Sequence, residues 1–224
     1  MWIGSSGLDK SICAMRAITA LLVLLLWASG AQAATSDPIG DCFGEDNERR
    51  ISGCTEIIDT LSPGPDLLSL AHAMRALALS LKGEYGLAIH DYDAAILLNP
   101  GFSVAYNNRA WSRFKSGSAA DGLPDVETAL RLSPGSSHAY DTRAHIRQSL
   151  GNLAGALEDY ERAMRFGGEK MVKLYQCGLQ ERGLYTGAVD GIYSDPVREA
   201  LEACVRDASC DPLPADEQCR AATS

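Results

Sequence analysis

Basic side chains are scarce in this chain: 20 lysines and arginines stand against 29 aspartates and glutamates, a formal charge of −9 at pH 7. That deficit argues against a nucleic-acid partner and against adhesion to anionic lipid, since both need clustered positive charge. Histidine is scarcer still, with only His72, His90, His138 and His145 among 224 residues. None lies near a cysteine at zinc-ligand spacing, and the chain has no C-x-x-C, no H-E-x-x-H, no G-x-S-x-G and no phosphate-cradling glycine loop. No catalytic set, metal set or cofactor motif stands out, so the expectation is a protein that is not an enzyme and holds no metal or cofactor. Each histidine is read first as a packing or surface residue.

Long apolar runs are also few. The most apolar stretch, Ala17 to Trp27, falls short of the roughly 20 residues that span a bilayer. It follows Lys10 and Arg16 and leads into Ala31-Gln32-Ala33, a small-x-small cleavage pattern. Residues 1–33 are therefore read as a signal peptide, with an uncleaved signal anchor as the alternative. Cleavage leaves 18 basic and 28 acidic side chains and no stable membrane span. The expected location is periplasmic or secreted.

Of the seven cysteines, Cys13 falls in the signal, leaving Cys42, Cys54, Cys177, Cys204, Cys210 and Cys219. An even number in an exported chain points to disulfides rather than free thiols. Cys42 and Cys54 lie far in sequence from the other four and are expected to pair locally.

What the chain does have is a period. Ala76, Ala110 and Ala144 recur at a spacing of 34 residues, as do Gly83, Gly117 and Gly151, and Ala95, Ala129 and Ala163. A period of that length marks helix-turn-helix units that bury their apolar faces only by stacking. The glycines close the first helix of each unit, Pro100 and Pro134 stop the second, and Gly168 takes the place of that proline in the third unit. Small residues at Ala76, Ala88, Gly122 and Ala156 allow close helix approach; Tyr92, Val126 and Tyr160 share one large slot, and Leu98, Leu132 and Phe166 another. Pro124, inside the second helix of the middle unit, predicts a late start or a bend there. Arg75, Arg109 and Arg143, with Asp91, Asp125 and Asp159, are also in phase. They are read as pairs that fix helix packing, against the alternative of a charged track for a ligand.

On these slots, residues 69–168 resemble three tandem tetratricopeptide repeats, 69–102, 103–136 and 137–168. The resemblance implies an all-α, right-handed superhelical solenoid of helix-turn-helix repeats. It also implies a partner-binding groove lined by first-helix residues: Asn107, Trp111, Phe114 and Lys115 in the second copy, Asp141, His145 and Gln148 in the third, and the less polar Ala73, Leu77 and Ser80 in the first. For Trp111 and Phe114, core packing is the alternative. Residues 34–68 are read as a capping half-repeat, with Ile51, Cys54, Ile57 and Ile58 at second-helix spacing and a Cys42–Cys54 staple.

After the repeats, residues 169–212 resemble a truncated peptidoglycan-binding domain, and 213–224 form a tail. The matching residues are Leu174, Gln176, Leu179, Gly183, Tyr185, Gly187, the turn Val189-Asp190-Gly191, Tyr193, Arg198 and Ala200-Leu201. Cys204-Val205 and Ser194 depart from the family pattern. The resemblance implies a small helical cap, and a disulfide staple fits the departures from it. Cys177 and Cys204 fall on its first and last helices, where a bond would replace the lost aromatic contact, and Cys210 and Cys219 would then close the tail around Pro212 and Pro214. Six cysteines permit 15 pairings, and sequence alone does not choose among them. The expected function is an exported scaffold binding a protein or peptide partner in the bacterial envelope. The alternative is a peptidoglycan-binding accessory acting through residues 169–212, against which stands a purely capping role.

Overall fold

The first helices of the three units end by one device. Glu84 N–H donates to Leu79 O at 2.9 Å and Gly83 N–H to Ser80 O at 3.0 Å. The same two bonds recur from Ser118 and Gly117, and from Asn152 and Gly151. This closure needs a left-handed residue, and Gly83, Gly117 and Gly151 take φ of 80°, 88° and 79°. Second helices then start in phase, at Tyr85, Ala119 and Leu153.

The computed structural model describes residues 37–61, 63–207 and 209–213, and among them all regular secondary structure is helical. The order is α1 Pro38–Phe43, α2 Asn47–Thr60, α3 Pro65–Leu81, α4 Tyr85–Leu98, α5 Ser103–Lys115, α6 Ala119–Leu132, α7 Ser137–Ser149, α8 Leu153–Glu181 and α9 Asp195–Arg206. Each of α2 to α7 packs on the next helix, and first helices of neighbouring pairs also touch, α3 on α5 and α5 on α7. The result is a solenoid of helix pairs with a helical unit at each end. The signal reading, Cys13, Cys219 and the tail from 214 onward lie outside the described residues.

The core follows the small-residue slots. Ala76, Ala110 and Ala144 have no exposed surface, nor do Ala88 and Ala156; Tyr92, Val126 and Tyr160 are equally buried. The other large slot departs from expectation. Leu132 and Phe166 remain exposed, and Phe166 stacks on Tyr140, 5.4 Å between centroids, on the solenoid's surface.

Three helix boundaries differ from the sequence reading. α3 begins at Pro65, ahead of the expected start of the first repeat at 69, because proline is suited to a helix's first turn. α6 starts on time despite Pro124, which lies within it. Its ring removes one donor, while Arg113 Nη1 donates to the nearby Asp121 carbonyl at 3.1 Å. α8 runs on past Gly168, where the backbone leaves helical geometry at φ 62°, ψ −153°. That break is the end expected for the third unit.

At the amino end α2 covers the first pair, with Cys54 and Ile57 buried, and Cys42 is bonded to Cys54 with Cα atoms 4.5 Å apart. At the carboxyl end the expected pairing is corrected. Cys204 bonds to Cys210, Cα atoms 5.3 Å apart, so neither Cys177–Cys204 nor Cys210–Cys219 forms. The reason is local: after α9 the chain folds straight back, Asp207 N–H donating to Cys204 O and Cys210 N–H to Asp207 O, each at 3.0 Å. Cys177 is disulfide-bonded as well. Contact between the distal half of α8 and α9 is apolar instead, through Val172, Tyr175, Leu179, Val197 and Leu201.

Candidate groove and its carboxyl-terminal cover

Because the period is 34, first-helix side chains form columns that run along the stack. Ala73, Asn107 and Asp141 make one column, Leu77, Trp111 and His145 a second, Ser80, Phe114 and Gln148 a third. The distal half of α8 adds a further member to two of them. Tyr175 lies 34 residues after Asp141 and donates its hydroxyl to that carboxylate, and Leu179 follows His145. Gly178, buried, stands where Ala144 stands one unit earlier.

In the second unit the expected groove residues are partly open. Trp111 and Phe114 are half-buried and Lys115 is exposed, its ammonium 5.5 Å from the Trp111 ring centroid. Asn107 is buried, and among the described residues its Oδ1 has no hydrogen-bond partner. In the third unit Asp141, His145 and Gln148 are all buried. What covers the last two is the segment that follows α9.

That cover is specific. Gln148 Nε2 faces three carbonyls, Cys210 at 3.0 Å and Asp207 at 3.1 Å in this segment and Cys204 at 3.4 Å in the last turn of α9. Its Oε1 accepts from the buried Tyr160 hydroxyl at 2.8 Å. His145 Nδ1 lies 2.9 Å from the Asp141 carbonyl, and Nε2 lies 3.0 Å from Asp211 Oδ1. Both neighbours are acceptors, so both ring nitrogens donate and His145 is an imidazolium. Burial alone would lower its pKa, but the Asp141 carboxylate and the bond to Asp211 outweigh burial and raise it to about 9. Burial would likewise raise Asp211, yet the bond to His145 holds it below its usual range. Asp141 is raised, chiefly by burial.

Aromatic rings continue the contact. Trp111 meets Phe114 at 5.2 Å and His145 edge-on at 5.3 Å; His145 meets Tyr160 at 5.2 Å, and Tyr160 meets Tyr175 at 5.8 Å. A cleft of about 210 Å³ remains between the segment and the groove, bounded by Phe114, Lys115, His145, Gln148, Ser209 and Asp211. Phe114 and Ser149 also border a second hollow of about 390 Å³ toward the turn at Gly117.

The in-phase charges pair across helices. Arg75 with Asp91, Arg109 with Asp125 and Arg143 with Asp159 each form a two-bond fork, with all distances between 2.6 and 2.8 Å. Arg113 and Arg147, one turn further on, add bonds to Asp125 and Asp159 at 2.8 and 2.6 Å. Those two arginines are themselves 34 apart, a further in-phase signal in the sequence.

In the unit after Gly168, Gln176 holds the loop 189–193: its Nε2 donates to Asp190 Oδ1 and its Oε1 accepts from Gly191 N–H, both at 2.8 Å. Tyr185 is buried and its hydroxyl donates to Ala188 O at 3.0 Å. Ile192 and Tyr193 stay exposed. Among the described residues no group of three or more His, Cys, Asp or Glu side chains is placed to hold a metal, and no helix is long and apolar enough to cross a membrane. No protein-family model matches the chain, and no curated protein matches it.

Proposed function

We propose that this chain is an exported, non-enzymatic scaffold of three tetratricopeptide repeats that binds a protein or peptide partner along its groove, in the bacterial cell envelope. The observation that carries the reading is the state of the second unit. Trp111 and Phe114 are only partly buried beside the exposed Lys115, on the face formed by successive first helices. Large aromatics left partly open on such a shared face are the usual anchors of an interface. Export is supported by the disulfides, which form and persist in oxidising compartments.

The test is affinity capture from envelope extract with the full chain and with Trp111→Ala. The expected result is a partner retained by the native chain and lost with Trp111→Ala at unchanged helical content. Equal retention by both would overturn the groove assignment.

A second reading, a peptidoglycan-binding accessory, is favoured by one feature. The loop 189–193 is held rigidly by Gln176 yet leaves Ile192 and Tyr193 outside. Sedimentation with purified sacculi decides it: retention of the full chain, lost with Tyr193→Ala, supports glycan binding, and no retention leaves this unit as a cap.

A further inference from the structure

The third-unit end of the groove is filled by the chain itself, and the manner of filling is informative. Most of the polar contacts are ones that an aspartate-bearing turn of another protein also offers. Gln148 reads three backbone carbonyls, which carry no side-chain identity, and His145 reads one carboxylate. The side chain of Asp211 is 46% exposed, at the lip rather than the floor of the site, while that of His145 is 5% exposed. The floor is complete without the segment: Tyr160 holds Gln148, and the Asp141 carbonyl holds the other His145 nitrogen. Lys115 borders the same cleft and forms no ion pair with Asp211.

We propose that residues 207–213, anchored to the last turn of α9 through Cys204, are a tethered occupant of this seat, and that His145, Gln148 and Lys115 accept an aspartate-bearing turn of a partner protein in its place. The proposal rests on the reading of the groove as a protein-binding face. Charge complementarity selects the partner. An imidazolium in the floor of the seat and an ammonium at its border, in an otherwise acidic protein, favour a carboxylate, and Asp211 shows where it sits. Tethering also explains why the seat is closed at rest. A linked segment competes at an effective concentration in the millimolar range, so a free partner sees only the small fraction of chains in which the seat is vacant. Leu213, packed against the carboxyl-terminal core, and the buried Pro212 hold the segment down. The Cys204–Cys210 bond keeps it a compact turn.

The experiment uses a fluorescent synthetic peptide of sequence 204–213, closed through its two cysteines, titrated into the full-length chain by anisotropy. Three chains are compared: native, Asp211→Ala, and Asp211→Ala with Leu213→Ser, the last releasing the segment at two points. The expected result is binding at least roughly ten-fold tighter to a released variant than to the native chain. Binding is lost when the peptide carries asparagine for its second aspartate, or when His145→Gln is added to the variant. If neither released variant binds the peptide while both keep native helical content, the segment is only a cap and the proposal falls. That failure leaves the Trp111 capture result untouched, and a failed capture leaves the peptide result interpretable.

Discussion

Arg143 grips Asp159 through two parallel hydrogen bonds, Nε to Oδ2 at 2.8 Å and Nη2 to Oδ1 at 2.7 Å, and Arg147 adds a third at 2.6 Å. The carboxylate is completely buried between α7 and α8. A forked, desolvated pair of this kind contributes orientation as much as energy, and removing one member strands the other. Asp159→Ala is therefore expected to lower the unfolding free energy by about 3 kcal/mol. Glu158→Ala, which breaks an exposed bridge to Arg162 one turn away, should change it by at most ~0.5 kcal/mol. Urea titration of both variants checks this. Near-native stability for Asp159→Ala, with partner capture abolished, would restore the alternative of a charged track.

Those forks were legible because each partner recurs at the same phase, and so were the turns and the small-residue slots. The paired reading of Arg75, Arg109 and Arg143 needed nothing more than helix geometry. Two things were hidden. Tyr175 and Gly178 continue the array one period on, but Gly168 interrupts the chain between them and the third unit, so the carboxyl-terminal helix did not look like a further first helix. Asp211 carried no signal at all. Its role depends on a backbone reversal after α9 and on contacts 59 to 66 residues apart in sequence. The Cys204–Cys210 bond was hidden for the same reason, since the positions of Cys177 and Cys204 on the first and last helices of the unit favoured a bond between those two.

Gly122 offers a test of how tightly the middle pair is packed. A Cβ built there lies 2.9 Å from the Ala110 carbonyl oxygen and 3.0 Å from Ile146 Cδ1. Backbone oxygen cannot yield as a side-chain tip does. Gly122→Ala should therefore destabilise by about 1–2 kcal/mol despite the helix propensity it gains. Gly86, in the first turn of α4, has open space at the same position. Its replacement by alanine should be neutral or stabilising by up to ~1 kcal/mol. Thermal melts of the two single variants give the comparison, and parallel shifts would show that the clash relaxes.

Tyr92 and Tyr160 occupy one slot in the first and third units, and both are fully buried. Their hydroxyls differ. Tyr160 donates to Gln148, whereas among the described residues no group meets the Tyr92 hydroxyl in good hydrogen-bond geometry; burial pushes its pKa up to about 12, and the nearby Asn108 and Ser80 only partly offset that. A buried hydroxyl without a partner is a cost that phenylalanine removes. Tyr92→Phe should be neutral or slightly stabilising. Tyr160→Phe should lose about 1 kcal/mol and loosen Gln148, which then also weakens protection of the amides in 207–213. Hydrogen exchange of that segment in the two variants reads the difference. Equal exchange would separate Gln148 from Tyr160.

The His145–Asp211 pair makes stability depend on pH in two opposite ways. His145 is raised in the folded chain from the ordinary imidazole value of 6.5 to about 9. Its contribution is fully present below 6.5 and is lost as pH rises through about 9. Asp211 is lowered from 3.8, so its contribution is present above that value and disappears as pH falls through the folded pKa. The pair is thus at full strength between about pH 4 and pH 6.5. Asp141, Lys115, Tyr160 and Tyr175 border the same imidazole region, and the tyrosines are raised well above 10, so they stay neutral throughout this window. Between pH 6 and pH 9.5 the native chain should lose on the order of 2 kcal/mol that His145→Gln does not lose. The difference between the two urea-unfolding curves isolates this term from the other groups that titrate in alkali. Parallel curves for native and variant would mean that His145 is neutral in the folded chain, and the charge-based seat for Asp211 would lose its basis.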